Sequence, residues 1–271
     1  MSFLAREVPR WDTDNHCFSC HNNGDGARAL FLARRKGFDV PSEALASTIA
    51  WLREPAQWTQ VKGAAGSNDK NLARIQFASS LAEASRDGII RDAAALRSAA
   101  ELLIANQDAS GAWPVDAGSL PGAPATYGTP LATYMAREVL VIADRRRFAD
   151  AITRANAWLA RAKPANVVDA AGLLLASSNR VDCRDTLLAA QSRDGGWGPQ
   201  RGMPVEVFDT AIAVLALRGK GEAARRGRDF LLRMQDRSGS WPETTRPSGA
   251  TSYAERISTA AWASYALLAT R

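Results

Sequence analysis

One turn recurs three times along this chain and limits what it can fold into. Gln107-Asp108-Ala109-Ser110-Gly111-Ala112-Trp113, Gln191-Ser192-Arg193-Asp194-Gly195-Gly196-Trp197 and Gln235-Asp236-Arg237-Ser238-Gly239-Ser240-Trp241 all read Q-x-x-x-G-x-W. Each follows a helical stretch ending in large aliphatics: Leu102-Leu103-Ile104, Leu187-Leu188 and Leu231-Leu232. After each tryptophan comes a polar loop with glycine or proline. A second, more apolar helix then starts near Thr129-Pro130-Leu131, Asp209-Thr210-Ala211 or Ser258-Thr259-Ala260. A hairpin of this kind cannot bury its apolar face alone, so the copies must stack on one another. The glycine permits a tight or left-handed turn. The indole covers the joint between hairpins, and the glutamine amide serves helix-end backbone groups.

The three glutamines lie 84 and 44 residues apart, which leaves room for a degenerate unit in the first gap. Ala157-Trp158-Leu159-Ala160-Arg161-Ala162-Lys163-Pro164, followed by a helix over 168–175, fills it. Ile49-Ala50-Trp51-Leu52-Arg53 begins the series, with a second helix from Asn71 to Leu81. About five hairpins of roughly forty to fifty residues stack either as an open solenoid or as a closed ring. The final helix, Ala260 to Leu268, is apolar nearly all round, whereas an open array would end in a polar cap, so closure is expected. The expected fold is therefore all-α, one domain over 1–271. It comprises an α/α toroid over 46–271 and, before it, a C-x-x-C-H loop and first helix over 11–45.

Composition removes several alternatives. With 46% hydrophobic residues and 23% charged residues spread along the length, the chain is a globular rather than a disordered type. The net charge of +6 comes almost wholly from arginine. Arg34-Arg35-Lys36, Arg145-Arg146-Arg147 and Arg225-Arg226 read as helix ends set against the negative end of the dipole. No basic cluster is interleaved with aromatics, so a nucleic-acid partner is not expected. No apolar stretch is long enough to span a bilayer, although contact with a membrane surface stays open. The start Met1-Ser2-Phe3-Leu4 has no leader-like apolar run. This fits a cytoplasmic protein, or an exported one whose leader lies outside this sequence.

The three turns resemble the QW repeats of squalene–hopene cyclases, in the superfamily that also holds the protein prenyltransferases. Thr251-Ser252-Tyr253-Ala254-Glu255-Arg256-Ile257-Ser258-Thr259-Ala260 resembles the cyclase segment before an inner helix. The resemblance implies a central cavity lined by inner helices and an isoprenoid or other apolar ligand. It also implies a proton-donating aspartic acid within D-x-D-D-T-A, kept protonated by burial and neighbouring carboxylates. The matching segment is Glu206-Val207-Phe208-Asp209-Thr210-Ala211, with Phe208 at the donor's position and Tyr127 and Ile257 in that column of other units. A phenyl ring donates no such proton, so the sequence leaves open whether the toroid is an enzyme. Glu206, Asp209 and Glu255 remain as acidic candidates. Glu206 and Glu255 read either as a cavity-facing pair or as partners of Arg201 or Arg256. Asp209, like Asp169, reads as an N-cap. Tyr127, Tyr134, Phe208, Tyr253, Arg256 and Trp262 are the candidate cavity lining. Asp182-Cys183 resembles part of the prenyltransferase zinc site, but no histidine follows His21, so Cys183 reads as a packing residue.

Both histidines and two of the three cysteines fall in His16-Cys17-Phe18-Ser19-Cys20-His21. C-x-x-C-H is the attachment pattern of c-type haem, with two thiols for the vinyl groups and a histidine for iron. Met135, Met203 and Met234 are candidates for the opposite axial position. Zinc on Cys17, Cys20, His21 and His16, a reactive dithiol, and a plain structural loop are the alternatives. Similar C-F-S-C-H segments precede toroid repeats in bacterial squalene cyclase-like proteins. Haem attachment would imply an extracytoplasmic compartment. Three functions thus stand side by side: a toroid binding an apolar molecule, a haem redox or sensor protein, and an interaction scaffold with structural zinc.

Overall fold

The computed structural model describes residues 1–60, 70–115 and 120–271. The described residues form an all-helical ring of two layers. The inner layer consists of α2 (Ala27–Arg35), α4 (Lys70–Arg86), α6 (Thr129–Asp144), α8 (Val167–Ala176), α10 (Val207–Ala216) and α12 (Tyr253–Ala269). Each inner helix packs on the next, and α12 packs back on α2, so the ring closes. Around them run α1 (Ser2–Asn15), α3 (Ala46–Leu52), α5 (Ala93–Ile104), α7 (Ala149–Arg161), α9 (Val181–Ala190) and α11 (Gly221–Met234). No helix among the described residues is long and apolar enough to cross a membrane.

Sequence pattern explains the sorting into layers. Every residue of α10 is buried, as its Val-Phe-Asp-Thr-Ala-Ile-Ala-Val-Leu-Ala run requires of a helix walled in on all sides. By contrast, α11 buries only Ala224, Gly227, Phe230 and Leu231, a single stripe at helical spacing. Sequence spacing anticipates five hairpins, and the ring contains six. The additional one is α1 with α2, which takes the C-x-x-C-H segment into the ring as the joint between an outer and an inner helix. Its outer helix is hard to see in sequence. Arg6, Glu7, Pro9, Arg10, Asp12 and Asp14 interrupt α1, and no Q-x-x-x-G-x-W turn follows it.

The three corners share one construction. The indole Nε1–H of Trp113, Trp197 and Trp241 donates to the carbonyl ten positions earlier, on Leu103, Leu187 and Leu231, each at 2.7 Å. These are carbonyls at the end of an outer helix, which have no partner within it. Gln107 donates to Gly111 O and to Ala151 O of the next outer helix, at 3.0 and 2.9 Å. Gln191 does the same with Gly195 and Ala223, at 2.7 and 2.8 Å. Gly111 and Gly195 stand at φ 96° and 91°, and a Cβ on either would meet a backbone oxygen of Arg154 or Arg226 at 2.4 or 2.7 Å. Glycine is therefore required twice over, by the left-handed backbone and by the close approach. The Gln107 and Gln191 corners thus tie one hairpin to the next.

Candidate functional site

Trp262 of α12 stands at the centre of the ring. The edges and faces of Tyr127, Phe208 and Tyr265 meet its indole at 5.3, 5.9 and 6.5 Å between ring centres. Tyr127, Phe208 and Trp262 are all essentially sealed from solvent. Together they form a plug that divides the interior. On one side are the N-terminal ends of the inner helices, crowded with carboxylates. On the other side is a cavity of about 100 Å³ at their C-terminal ends.

Two polar clusters occupy the N-terminal side. The first centres on Asp25, in the π-helical turn Cys20–Gly26 that leads into α2. Tyr127 Oη donates to its Oδ1, while Ser258 Oγ and Gln76 Nε2 donate to Oδ2 at 2.8 and 2.9 Å. Burial pushes the Asp25 carboxyl above its ordinary range, while nearby Arg28 and the three donors pull it back. Ser258 spends its proton on Asp25, so its oxygen accepts from His21 Nδ1, 2.8 Å away. This network assigns the tautomer and leaves the His21 lone pair on Nε2. Burial lowers His21 to about 4, so it is neutral.

In the second cluster Arg246, from the loop before α12, bridges two carboxylates. It donates to Glu206 and, at 2.8 Å, to Asp209. Ser248 Oγ also donates to Glu206. Asp209 is fully buried, and burial lifts its carboxyl to about 7, with Glu206 adding to the rise and Arg246 opposing it. Two carboxylates sharing one guanidinium in a dry site do not both ionise easily. Glu255 lies within electrostatic reach of Arg246 and Glu206, and its own burial raises it to about 7. Asp209 is therefore not the N-cap that sequence suggests: its side chain bonds Arg246 and makes no cap. Asp169 accepts from Ala165 N and Asn166 Nδ2, while Asn166 caps α8. The cation of the acidic cluster is Arg246, and neither Arg201 nor Arg256 takes that part.

The cavity on the C-terminal side is walled by Tyr134, Met135, Val139, Ile142, Leu175, Leu215, Trp262 and Tyr265. Arg28 reaches into it from α2, with its guanidinium 4.1 Å from the centre of Trp262 and 4.3 Å from that of Tyr265. Its Nη1 donates to Met135 Sδ at 3.1 Å, and its Nε has no partner among the described residues. Glu83 is also buried there, but Arg35 at 2.6 Å, Arg86 at 3.6 Å and Tyr265 Oη at 3.0 Å answer its charge. A larger open groove of about 720 Å³ lies outside the ring, against the ends of α9 and α11.

The residues singled out from sequence divide between interior and rim. Tyr127, Phe208 and Trp262 meet in the plug, Tyr134 and Trp262 line the cavity, and Glu206, Asp209 and Glu255 gather at the opposite end. Tyr253 is instead a rim residue. It is 39% exposed, stacks on Trp11, and joins Glu7 and Asn22 through its hydroxyl. Arg256 does not face the cavity: it lies over Phe3 and beside Asp236 and Ser240 on the outer side. Thr133 and Thr210 accept equivalent bonds from Trp113 N and Trp197 N at 3.0 and 2.9 Å. That register sets Leu131, not Tyr127, opposite Phe208. Tyr127 precedes it by one turn, in a left-handed conformation at φ 56°.

Cys17, Cys20 and Cys183 are free thiols. Between the first two, Phe18 stacks on Trp51 at 4.4 Å. Burial, with Asp25 nearby, pushes the Cys20 thiol up to about 12, and burial raises Cys183 to about 11. No three His, Cys, Asp or Glu side chains among the described residues are grouped to hold a metal ion. Met135 is engaged by Arg28, while Met203 and Met234 are exposed on the surface.

Sequence reasoning missed Asp25, Arg28, Gln76, Glu83 and Arg246. The signal for the first two was present: Asp25 and Arg28 are the only charges in Gly24-Asp25-Gly26-Ala27-Arg28-Ala29-Leu30-Phe31-Leu32, a run otherwise fit for burial. No protein-family model matches the chain, and no curated protein matches it as a relative.

Proposed function

We propose that this chain is a non-cyclising toroid that binds a small, mainly apolar group in the cavity at the C-terminal mouth of its inner ring. The observation that carries the reading is the apolar- and aromatic-walled cavity beside Trp262 and Tyr265. Its size limits the occupant. Pockets for drug-sized ligands span roughly 300–1,000 Å³, and an engineered cavity of roughly 150 Å³ holds benzene. At about 100 Å³ this one takes a ring or a short branched group. A polyprenyl chain would have only its tip inside.

Two features argue against cyclase chemistry. Phe208 stands where an acid would protonate the substrate, and its ring is packed edge-on against Trp262. Protonating an alkene also leaves a carbocation, which aromatic faces stabilise. Here a permanent guanidinium already occupies those faces. A second unit charge about 4 Å away would cost about 4 kcal/mol at an effective dielectric of about 20. The expected result is that purified protein leaves squalene and its epoxide unchanged, while small apolar probes quench or enhance Trp262 fluorescence. Leu215→Trp, which fills the cavity, should abolish that response without loss of helical signal. Turnover of squalene, or a response unaffected by the filled cavity, overturns the reading.

A second reading, haem attachment at Cys17, Cys20 and His21, draws support from one observation. His21 is anchored through Nδ1 by Ser258 and Asp25, as the outer-shell bond of a ligating histidine would be, and its lone pair is on Nε2. In that reading the two thiols hold the macrocycle and His21 the iron, which supplies electron transfer or small-molecule binding. A Soret band that survives denaturation, after expression in a haem-maturing host, is its required result; a colourless protein rejects it.

A further inference from the structure

We infer that the cavity recognises a small carboxylate, with Arg28 as its anchor; this rests on the cavity being the ligand site. Arg28 is 5% exposed, yet among the described residues its one hydrogen bond goes to the thioether of Met135, a weak acceptor. A buried guanidinium whose Nε has no acceptor among the described residues is expensive to leave so. Asp25 and Glu83 act on its charge from a distance but give it no hydrogen bond. Both oxygens of Asp25 are taken by Tyr127, Ser258 and Gln76. Those of Glu83 are taken by Arg35 and Tyr265, with Arg86 alongside.

Geometry points the same way. The guanidinium carbon stands over both Trp262 and Tyr265, contacts that use none of its N–H groups, so these stay available to an acceptor beyond Met135. A carboxylate matches a guanidinium edge with two parallel bonds. The remaining acid on the cavity wall, Glu138, is paired with Arg137 at 3.0 Å, so no bare negative charge opposes an incoming anion. Val139, Ile142, Leu175 and Leu215 supply the apolar wall for its short body.

Three probes of nearly equal shape and different charge test this: isovalerate, isoamyl alcohol and isoamylamine, titrated by calorimetry with Trp262 fluorescence in parallel. Isovalerate should bind at least about tenfold more tightly than the alcohol, and the amine should not bind. Arg28→Gln should abolish the preference for isovalerate over the alcohol. Should that variant fail to fold, the ranking on the native protein decides by itself. Equal binding of acid and alcohol overturns the role of Arg28 while the cavity stands as a site. If none of the three binds and fluorescence stays silent, the cavity reading falls, and this inference with it.

Discussion

The three tryptophan corners repeat one bond pattern almost unchanged, whereas the inner helices of the ring do not all begin alike. The indole bonds are all 2.7 Å long. Yet α6 is entered through a left-handed Tyr127, and α8 through an Asn166 cap. In α10 an Asp209–Arg246 pair sits in the first turn, and a Ser252 cap starts α12. The difference separates two demands. A corner has one task, joining neighbouring hairpins, and only one residue set meets it at that spacing. An inner helix start faces the interior of the ring, where position around the axis decides the neighbours. Aspartate faces a guanidinium at 209, whereas in the matching column Ser258 relays between His21 and Asp25. Repetition thus builds the frame, and its breakdown builds the site.

If the frame depends on the corners touching the next outer helix, the glycines should not be equivalent. Gly111→Ala and Gly195→Ala should each cost about 3 kcal/mol or more in denaturant unfolding, since strain at positive φ adds to a clash with backbone. Gly239→Ala should cost only about 1 kcal/mol. Its φ is similar, but the nearest atom to a Cβ there is Ser2 Oγ at 3.5 Å. Equal losses at all three would show that the approach to the neighbouring helix is not what fixes the ring. The next effect is smaller. Trp197→Phe keeps most of the apolar contact but removes the donor from Leu187 O, at an expected cost of about 2 kcal/mol. A neutral result would mean that the indole acts by packing alone.

This contrast also explains what could be read from sequence. The corner motif and the apolar second helices were legible because local pattern, turn chemistry and packing all demand the same residues. The hairpin of α1 and α2 was not, because its joint carries C-x-x-C-H where three of the others carry the Q-x-x-x-G-x-W turn. At the site, aromatic residues of inner helices were visible as a class, and Tyr127, Phe208 and Trp262 do meet. Their polar partners were not visible. Arg28 and Trp262, or Asp25 and Ser258, lie more than 230 residues apart in sequence and meet only because the ring closes. Arg256 was attractive as the neighbour of Glu255, but adjacent residues on a helix point in different directions, and it turns outward onto Phe3.

The acidic interior gives the finest test, because its signature should be absent from the corners. A carboxyl whose pKa is raised by folding holds its proton more tightly in the native state. Its contribution is therefore complete below the unfolded pKa and is lost as pH rises through the folded one. For Asp209 and Glu255 that window runs from about 4 to about 7, and buried Asp25 and Asp169 act in the same direction. His21 acts oppositely: its lowered pKa of about 4 makes the fold gain as pH rises toward the ordinary histidine value. Two carboxyls outweigh one imidazole, so stability measured by denaturant melts should fall by about 1 kcal/mol per unit between pH 5 and 6.5. Asp209→Asn removes one of the two, so the fall with pH should become clearly shallower than in the native protein. Gly111→Ala should keep the native slope, since the carboxyl bonded beside that corner, Asp108, is held below its ordinary range. A rising native profile, or an Asp209→Asn profile as steep as the native one, would mean that Arg246 keeps both of its carboxylates ionised throughout.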